Sequence, residues 1–262
     1  MTILIKYPRE TKESNKVFFE KKDQELTNLD WAKWSGWFDT DGCLHSKFNR
    51  SKCELELKDK QPVELFSKIF ECSLRCREMK TTTPDGKKYR ITTFSSALRG
   101  EKAKWFTKNI HPYLLKGAKK DYSAKLLGYQ PQSKDIETWT QDEITNYLAS
   151  AIGGDGRIYI DKRPNKHSTS KRIEVALYSN DEQYLSDVKY IVEDTFKMFI
   201  TFTPFRTYKT KKGEKIMYYI RFFGSRRNTA NLPVFKNLIK DNVMTLDRKK
   251  QKVQEFLGAM PR

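Results

Sequence analysis

The sequence predicts an α+β protein built from two similar α-β-β-α-β-β-α units, each with an antiparallel sheet. Three observations lead to this prediction. The chain has 262 residues, enough for two domains. Two apolar stretches, far apart in the chain, both end in Asp-Gly. Alternating stretches rich in β-branched and aromatic residues follow each of them. The pattern indicates a tandem duplication.

The repeat consists of three pairs of segments. They are 34–44 with 148–158 at an offset of 114, 54–57 with 174–177 at an offset of 120, and 119–128 with 249–258 at an offset of 130. The first offset superposes Asp41 on Asp155, since 155 − 41 = 114. Offsets that grow along the chain are typical of two copies that differ by insertions in loops.

The repeat also sets the expected domain limits. Residues 27–128 form the first half and residues 139–262 the second. The polar segment 129–138 has no apolar periodicity and is interpreted as the linker. Residues 1–26 are rich in Lys and Glu, have no counterpart in the second copy, and are interpreted as an N-terminal arm.

Each half begins with a capped helix that closes at Asp-Gly. A hydroxyl residue followed three positions later by an acid, at Thr27–Asp30 and Thr140–Glu143, is typical of a capping box. Strands are predicted at 43–49, 53–58, 74–80, 87–94, 157–163, 172–178, 200–208 and 215–223. Further helices are predicted at 61–71, 100–110, 181–198 and 233–257.

The charge of the chain indicates a polyanionic partner. Lys and Arg number 51 against 33 Asp and Glu, a net charge of +18. Hydrophobic residues make up 37% and aromatics 13%, so packed cores are expected rather than a disordered tail. No apolar run approaches the roughly 20 residues of a membrane span. We therefore expect an intracellular protein that binds nucleic acid and no membrane. The four cysteines are interpreted as reduced core thiols.

The helices that end at Asp41 and Asp155 carry mostly small residues on one face, which favours close packing of the two helices; the faces consist of Ala32, Ser35, Gly36 and Asp39 and of Asn146, Ala149, Ser150 and Gly153. Trp34, Trp37 and Phe38 are expected to pack into the core of their own half. If they lie parallel, both carboxylates meet at the negative ends of the helix dipoles, beside the carbonyls of Thr40 and Gly154. Hard oxygen ligands of this kind suit Mg²⁺, and the chemistry implied is phosphodiester hydrolysis. An EF-hand is excluded because Cys43 stands where its fifth position needs an acid or amide.

The segments WSGWFDTDG and LASAIGGDG resemble two degenerate copies of the motif that names the LAGLIDADG homing endonucleases. The resemblance extends over the chain from about residue 27. It implies a monomer whose two sheets form a DNA-binding saddle, with the motif helices at the central interface. It also implies metal binding by Asp41 and Asp155 with the carbonyls of Thr40 and Gly154. The second motif departs from the family pattern, because Gly153 replaces its first acid.

The same resemblance implies a lysine in the catalytic pocket near the end of each half. The matching pairs are Lys119 or Lys120 in the first half and Lys249 or Lys250 in the second. We take Lys119 and Lys249 as the candidates. A solvated surface lysine or a phosphate contact is the alternative for each, since the chain contains 51 basic residues.

Strand alternation predicts one face of each sheet on the core, with Leu44 and Phe48 inward, and the other face on DNA. The DNA-facing candidates of the first half are His45, Lys47, Asn49, Ser51, Glu54, Glu56, Lys58, Arg75, Arg77, Lys88, Arg90 and Thr92. Those of the second half are Tyr159, Asp161, Arg163, Asn165, Arg172, Glu174, Arg206, Tyr208, Met217, Tyr219 and Arg221. A mixture of Arg, amides and acids favours base reading in the major groove. An ordinary exposed strand position is the alternative for each residue.

The residues and the resemblance together predict a site-specific, Mg²⁺-dependent DNA endonuclease. The resemblance alone implies that it cuts both strands across the minor groove and leaves cohesive ends. Mn²⁺ or Ca²⁺ could occupy the same sites, and Ca²⁺ is expected not to support cleavage. The termini carry no splice-junction residues, which favours an intron-carried gene over an intein. A Lys-rich, Ala-poor composition favours a mitochondrial location. Two alternatives are an RNA-splicing maturase that binds its own intron RNA and a non-catalytic DNA-binding regulator.

Overall fold

The computed structural model describes residues 11–47, 50–82, 86, 88–161, 172–210, 213–225, 231–240 and 243–258. The helices are α1 (Lys12–Glu25), α2 (Asn28–Thr40), α3 (Lys60–Ile69), α4 (Gly100–Ile110), α5 (Gly117–Leu127), α6 (Gln141–Asp155), α7 (Glu182–Phe196), α8 (Leu232–Ile239) and α9 (Asp247–Gly258). The strands are β1 (Gly42–Lys47), β2 (Arg50–Leu57), β3 (Leu74–Thr82), β4 (Lys88–Arg99), β5 (Gly156–Asp161), β6 (Arg172–Ser179), β7 (Thr201–Thr210) and β8 (Gly213–Ser225).

The strands form two four-stranded antiparallel sheets with the same topology. Their orders are β1-β2-β4-β3 and β5-β6-β8-β7. In each sheet, the glycine that follows the motif acid lies opposite a buried leucine, Gly42 opposite Leu55 and Gly156 opposite Leu177. The predicted α+β fold class, with two related units and the motif helices packed together between them, is confirmed.

The sheet register corrects one of the repeat offsets. Leu55 and Leu177 are equivalent because each lies opposite the glycine after its acid, so the offset is 177 − 55 = 122 and not 120. Glu54 therefore corresponds to Ala176, and Glu56 to Tyr178. A shift by two residues preserves the inside–outside alternation of a strand, so the sequence pattern alone could not detect the error.

The last helices of each half differ from the prediction. The segment 233–257, predicted as one helix, is divided into α8 and α9, because Met244 and Leu246 between them turn into the core and are each only 2% exposed. The counterpart of α9 in the first half is α5, which was not predicted. Each unit therefore ends in two helices rather than one.

The segment predicted as an N-terminal arm contains helix α1. Thr11 and Ser14 cap its start reciprocally. Its Phe18 and Phe19 rings pack against Trp105 of α4, with ring centroids 5.6 and 5.5 Å apart. Burial of Phe18, which is 5% exposed, stabilises this docking by about 2 kcal/mol. The domain limits at residues 26, 128 and 138 remain predictions.

The core of the first half is built from aromatic rings. Trp34 and Phe38 of α2 pack against Phe66 of α3 at centroid distances of 5.2 and 5.9 Å, as expected for side chains that point away from the other motif helix. Ser35 was expected to face the other helix, but its hydroxyl donates to the carbonyl of Ile110 in α4 at 2.9 Å. Within the described part of the chain, no helix is both long and apolar enough to cross a membrane.

Candidate active site and nucleic-acid interface

Helices α2 and α6 pack side by side through glycines. A side chain on Gly36 would collide with the main chain of Tyr147 and lie 3.0 Å from the Cβ atom of Ser150. A side chain on Gly153 would lie 2.6 Å from the ring of Trp37. Trp37 was expected in the core of its own half, but its ring instead covers Gly153 at the contact between the helices. The absence of a side chain at Gly36 is therefore what lets the backbones approach.

The two helices are parallel, and their C-terminal ends meet. The contacts advance in the same direction along both helices, and beyond Gly153 the next residue, Gly154, touches Thr40 and Asp41. Asp155 directly follows Gly154 in the chain. The structure therefore brings Asp41, Asp155, Thr40 and Gly154 together, as the sequence predicted; their role in binding metal remains a prediction.

Asp41 is a largely buried acid with an unsatisfied oxygen. Its backbone N–H donates to the carbonyl of Trp37 at 2.9 Å and closes α2. Its Oδ2 atom finds no hydrogen-bond donor among the residues that the structure describes. Burial, followed by the nearby carboxylate of Asp155, raises the pKa of Asp41 to about 6. A buried, unpartnered carboxylate oxygen next to a second acid is an arrangement that a cation would stabilise.

Asp155 lies in a more open place. Its side chain is 37% exposed, and the ammonium of Lys116 lies 3.6 Å from its Oδ2 atom. The same ammonium lies 4.7 Å from the centre of the Tyr184 ring. Lys116 precedes α5 in the first half, whereas Asp155 and Tyr184 belong to the second, so residues of both halves build this end of the site. Leu246 stands at the position that corresponds to Lys116, since 116 + 130 = 246.

The two candidate lysines point at the ends of the motif helices. Lys119 donates to the carbonyl of Gly42, and Lys249 donates to the equivalent carbonyl of Gly156 at 2.8 Å. Lys249 also donates to the carbonyls of Ile152 and Gly153 at 2.5 and 2.6 Å. These placements distinguish Lys119 and Lys249 from their neighbours Lys120 and Lys250, a choice that the sequence had left open.

Burial affects the charge of both lysines. It is the main cause that lowers the pKa of Lys119. Burial, together with the neighbouring Arg248 cation, lowers the pKa of Lys249 to about 8. Each ammonium lies beside the C-terminal end of a motif helix, where it compensates the negative end of the helix dipole.

Asp39 joins three parts of the molecule below the site. Its buried carboxylate accepts from the backbone N–H groups of Leu115 and Lys116 at 2.7 and 3.2 Å, and from the hydroxyl of Tyr147 at 2.5 Å. Burial raises the pKa of Asp39 to about 6. The first two bonds fix the segment that carries Lys116, and the third connects the two halves.

An open cleft of about 610 Å³ runs from Asp41 across the first sheet. Gly153 and Gly154 line it at the motif end, and His45, Glu54 and Glu56 line it along β1 and β2. The cleft therefore connects the pair of acids with the face of the sheet that was expected to contact nucleic acid.

The site suits a divalent cation only when a ligand contributes oxygens. Among the described residues, no group of three or more His, Cys, Asp or Glu side chains is placed to hold a metal ion. Mg²⁺, however, is usually bound by one or two carboxylates together with waters and substrate phosphates. The unpartnered Oδ2 of Asp41 and the adjacent Asp155 provide such a pair. The donor set therefore fits Mg²⁺ that is shared with a phosphate.

The outer face of the first sheet contains five of the twelve contacts predicted for this half, among them Glu56 and Arg77. The hydroxyl of Thr93 donates to Glu56 at 2.9 Å, and Arg77 lies opposite Thr93 in the neighbouring strand. The same alternation places His45, Glu54 and Arg75 on this face, with His45 and Arg75 exposed. Lys58 is exposed just beyond the end of β2.

Four predicted contacts of the first half were placed wrongly. Ser51 is 7% exposed and shares the core face with Cys53 and Leu55. Ser51 lies opposite Ser46 and therefore on the side of the sheet away from His45, whereas alternation continued unbroken from His45 predicts it on the same side as His45. Lys88, Arg90 and Thr92 alternate with Thr93 and therefore lie on the opposite face of β4, where Arg90 is 3.9 Å from Glu78.

The second sheet brings its described candidates to one face. Four pairs of residues lie opposite one another on this face: Tyr159 and Glu174, Asp161 and Arg172, Arg206 and Met217, and Tyr208 and Lys215. Tyr219 and Arg221 of β8 lie on the same face. Asn49, Arg163 and Asn165 lie outside the described residues, as does the side chain of Lys47. For every residue, contact with DNA remains a prediction.

The sequence analysis did not identify two residues of the site and the interface, Lys116 and Phe205. Lys116 lies three positions before Lys119 and has no basic counterpart in the second half, so the repeat could not find it. Phe205, which is 50% exposed, lies outside the regular alternation because the register of β7 shifts between Pro204 and Arg206. Its position directly after Pro204 and before the candidate contact Arg206 is the sequence signal that could have found it.

No family model matches this sequence, and no curated protein sequence matches it either. Several solved structures are similar to this chain in fold. One is the LAGLIDADG homing endonuclease I-GzeII in complex with its DNA target, at 11% identity and a TM-score of 0.49, covering 89% of both chains. Another is the homing endonuclease I-WcaI bound to its DNA recognition sequence, at 14% identity and a TM-score of 0.49, covering 95% of both chains.

A third similar structure is I-SmaMI bound to an uncleaved DNA target in the presence of calcium ions. Its identity is 11% and its TM-score 0.38, and the match covers 90% of this chain and 99% of that one.

Proposed function

We propose that this protein is a site-specific DNA endonuclease that uses a divalent cation to hydrolyse both strands of its target. The observation that carries the proposal is that Asp41 and Asp155 meet at the ends of two parallel helices. The Oδ2 atom of Asp41 is buried there and has no hydrogen-bond donor among the described residues. Two sheets of the same topology begin directly after these acids, and the chain carries a net charge of +18.

The two acids have the role of holding cations against the phosphates of the two strands. A bound Mg²⁺ would lower the pKa of a water and stabilise the leaving oxygen. Lys119 and Lys249 position the main chain after each acid by binding the carbonyls of Gly42 and Gly156. Lys116 supplies a cation beside Asp155.

The faces of the two sheets would contact the target on either side of this centre. Arg75 and Arg77 in the first half, and Arg172, Arg206 and Arg221 in the second, provide charges for phosphates and guanines. Intron encoding, monomeric action and a mitochondrial location belong to the same proposal and rest on the sequence.

The test is cleavage of a plasmid library with randomised duplex inserts, in Mg²⁺, followed by sequencing of the linear products. We expect one preferred sequence to be cut on both strands, with Ca²⁺ supporting binding and not cleavage. Asp41→Asn and Asp155→Asn should each reduce double-strand cleavage by at least about 100-fold while binding persists. Asp121→Asn, which changes an exposed acid of α5, is the matched control.

Three results would contradict the proposal. Binding to intron RNA without DNA cleavage would identify a maturase. Sequence-specific binding to DNA with no Mg²⁺-dependent cleavage would identify a regulator. Cleavage that survives both Asn substitutions would show that the acids are not the metal ligands.

A further inference from the structure

The outer face of the second sheet carries a cluster of three aromatic rings from adjacent strands. The ring of Tyr178 on β6 lies 5.4 Å from that of Phe205 on β7 and 5.7 Å from that of Tyr219 on β8. The rings of Phe205 and Tyr219 are 5.6 Å apart. Phe205 is 50% exposed, and the register shift beside it turns its ring onto this face.

Arginines surround this aromatic cluster. The guanidinium of Arg206 lies 5.7 Å from the centre of the Phe205 ring, and that of Arg221 lies 5.3 Å from the centre of the Tyr219 ring. The buried Nε atom of Arg221 has no acceptor within the described part of the chain. A cluster that combines apolar rings with such cations is complementary to a surface that is apolar in places and otherwise anionic.

The corresponding place on the first sheet has the opposite chemistry. By register, Tyr178 corresponds to Glu56, and their partners on the next strand are Tyr219 and Ser95. Glu56 is held by the hydroxyl of Thr93 at 2.9 Å, so the first sheet presents a fixed hydrogen-bond acceptor. One sheet therefore offers an acceptor, and the other offers apolar rings, at the same point of a duplicated framework.

We propose that the aromatic cluster recognises the methyl groups of thymines in the half-site that the second sheet contacts. This inference rests on the proposed function, since it assumes a duplex DNA target. In the major groove, the C5 methyl of thymine is the apolar feature of the base edges, whereas cytosine presents an amino donor. Glu56 suits cytosine, and the rings of Tyr178, Phe205 and Tyr219 suit thymine.

The charges around the cluster favour duplex DNA over an apolar protein partner. Arg172, Arg206 and Arg221 lie on the same face as the rings, and arginines bind phosphates and guanines. A thymine-reading half-site flanked by these cations therefore accounts for both the rings and the charges.

The experiment uses the full-length protein and the target selected from a randomised duplex library. Each thymidine of that target is replaced in turn by deoxyuridine, which keeps the base-pairing groups and removes only the methyl. We expect replacements at contacted thymines of one half-site to weaken binding by about fourfold each, the value for one buried methyl group. Replacements in the other half-site should have no effect.

Variants assign the effect to the cluster. Phe205→Ala should abolish the difference between thymidine and deoxyuridine at the affected positions. Phe199→Ala is the matched control, because Phe199 is 78% exposed and precedes β7, outside the cluster. Glu56→Gln should instead relax the preference for cytosine in the opposite half-site and leave the deoxyuridine effect unchanged.

The outcomes separate this inference from the proposed function. A target that is bound and cleaved, yet tolerates deoxyuridine at every position, overturns the reading of thymine and leaves the endonuclease intact. A deoxyuridine effect that Phe205→Ala leaves in place overturns the role of the cluster. Selection of no duplex target, or tighter binding to single-stranded oligonucleotides, overturns both proposals.

Discussion

The ends of the two motif helices occupy equivalent positions and yet differ in their surroundings. Asp41 is largely buried, its Oδ2 atom has no hydrogen-bond donor among the described residues, and its pKa is raised to about 6. Asp155 is 37% exposed and pairs with Lys116. The lysine beside the more exposed acid makes more hydrogen bonds. Lys249 binds three carbonyls at the end of α6, whereas Lys119 binds the carbonyl of Gly42.

The difference shows how a duplicated site tolerates sequence divergence. The second motif has Gly153 in place of an acid, and the helix end there is stabilised by Lys249, which binds the carbonyl of that glycine. The first motif keeps Asp39, which fixes the segment before α5 by its backbone N–H groups. Each acid is thus held in place by different means.

The largest expected effect is on the lysine that binds three carbonyls. Lys249→Met keeps the length of the side chain but removes the three charged hydrogen bonds to the carbonyls of Ile152, Gly153 and Gly156, so we expect the free energy of unfolding to fall by about 3 kcal/mol. Lys119→Met should lower it by about 1 kcal/mol, since one carbonyl is affected. Urea unfolding of both variants at pH 7 measures the difference; equal losses would contradict the asymmetry.

An intermediate effect, a gain in the free energy of unfolding, is expected for Asp41→Asn. A carboxyl group with a higher pKa in the folded than in the unfolded state binds its proton more tightly when folded. The stability of the metal-free protein should therefore be higher near pH 4 and fall as the pH rises through about 6. Asp41→Asn should raise the free energy of unfolding at pH 7.5 by about 1 to 3 kcal/mol.

The same substitution should also make the pH dependence shallower, with the remaining slope due to Asp39, whose pKa is likewise raised to about 6. Asp155→Asn is the comparison, and it should give no gain because it removes the partner of Lys116. Thermal unfolding in EDTA between pH 4 and 8 measures both. A larger gain from Asp155→Asn than from Asp41→Asn would reverse the assignment of the more buried acid.

The smallest expected effect concerns the ion pair between the halves. Because Asp155 is partly exposed, Lys116→Met should lower the free energy of unfolding by less than about 1 kcal/mol. A double-mutant cycle with Asp155→Asn should give a coupling energy of about 0.5 kcal/mol. The same cycle with Asp41→Asn serves as the control and should give less. Stronger coupling to Asp41 would show that Lys116 serves the other acid.

The sequence was informative wherever a signal was local. The capping residues and the Asp-Gly ends located both motif helices, and alternation located the strands. Thr140 and Glu143 do cap α6 reciprocally, at 3.2 and 2.7 Å. The side of Ser51 depended on the turn between two strands, so it could not be assigned by counting.

Other features needed the folded chain. Helix α5 was missed because its apolar residues are few and do not form a clear stripe along its sequence. The pairing of Lys116 with Asp155 joins residues 39 positions apart, since 155 − 116 = 39, and the repeat gave no counterpart for it. The residues that make the two acids unlike each other are thus the ones that sequence reasoning could not assign.

The contacts of Asp39 with Tyr147 and of Lys116 with Asp155 have a consequence for engineering hybrids. A chimera joined between the two halves, with one half from another protein of this fold, would contain one member of each pair and a foreign residue in place of the other. Transplanting the segment from Leu115 to Lys116 along with the second half would restore only the ion pair. Recombination of such halves should therefore succeed when both partners of each crossing contact travel together.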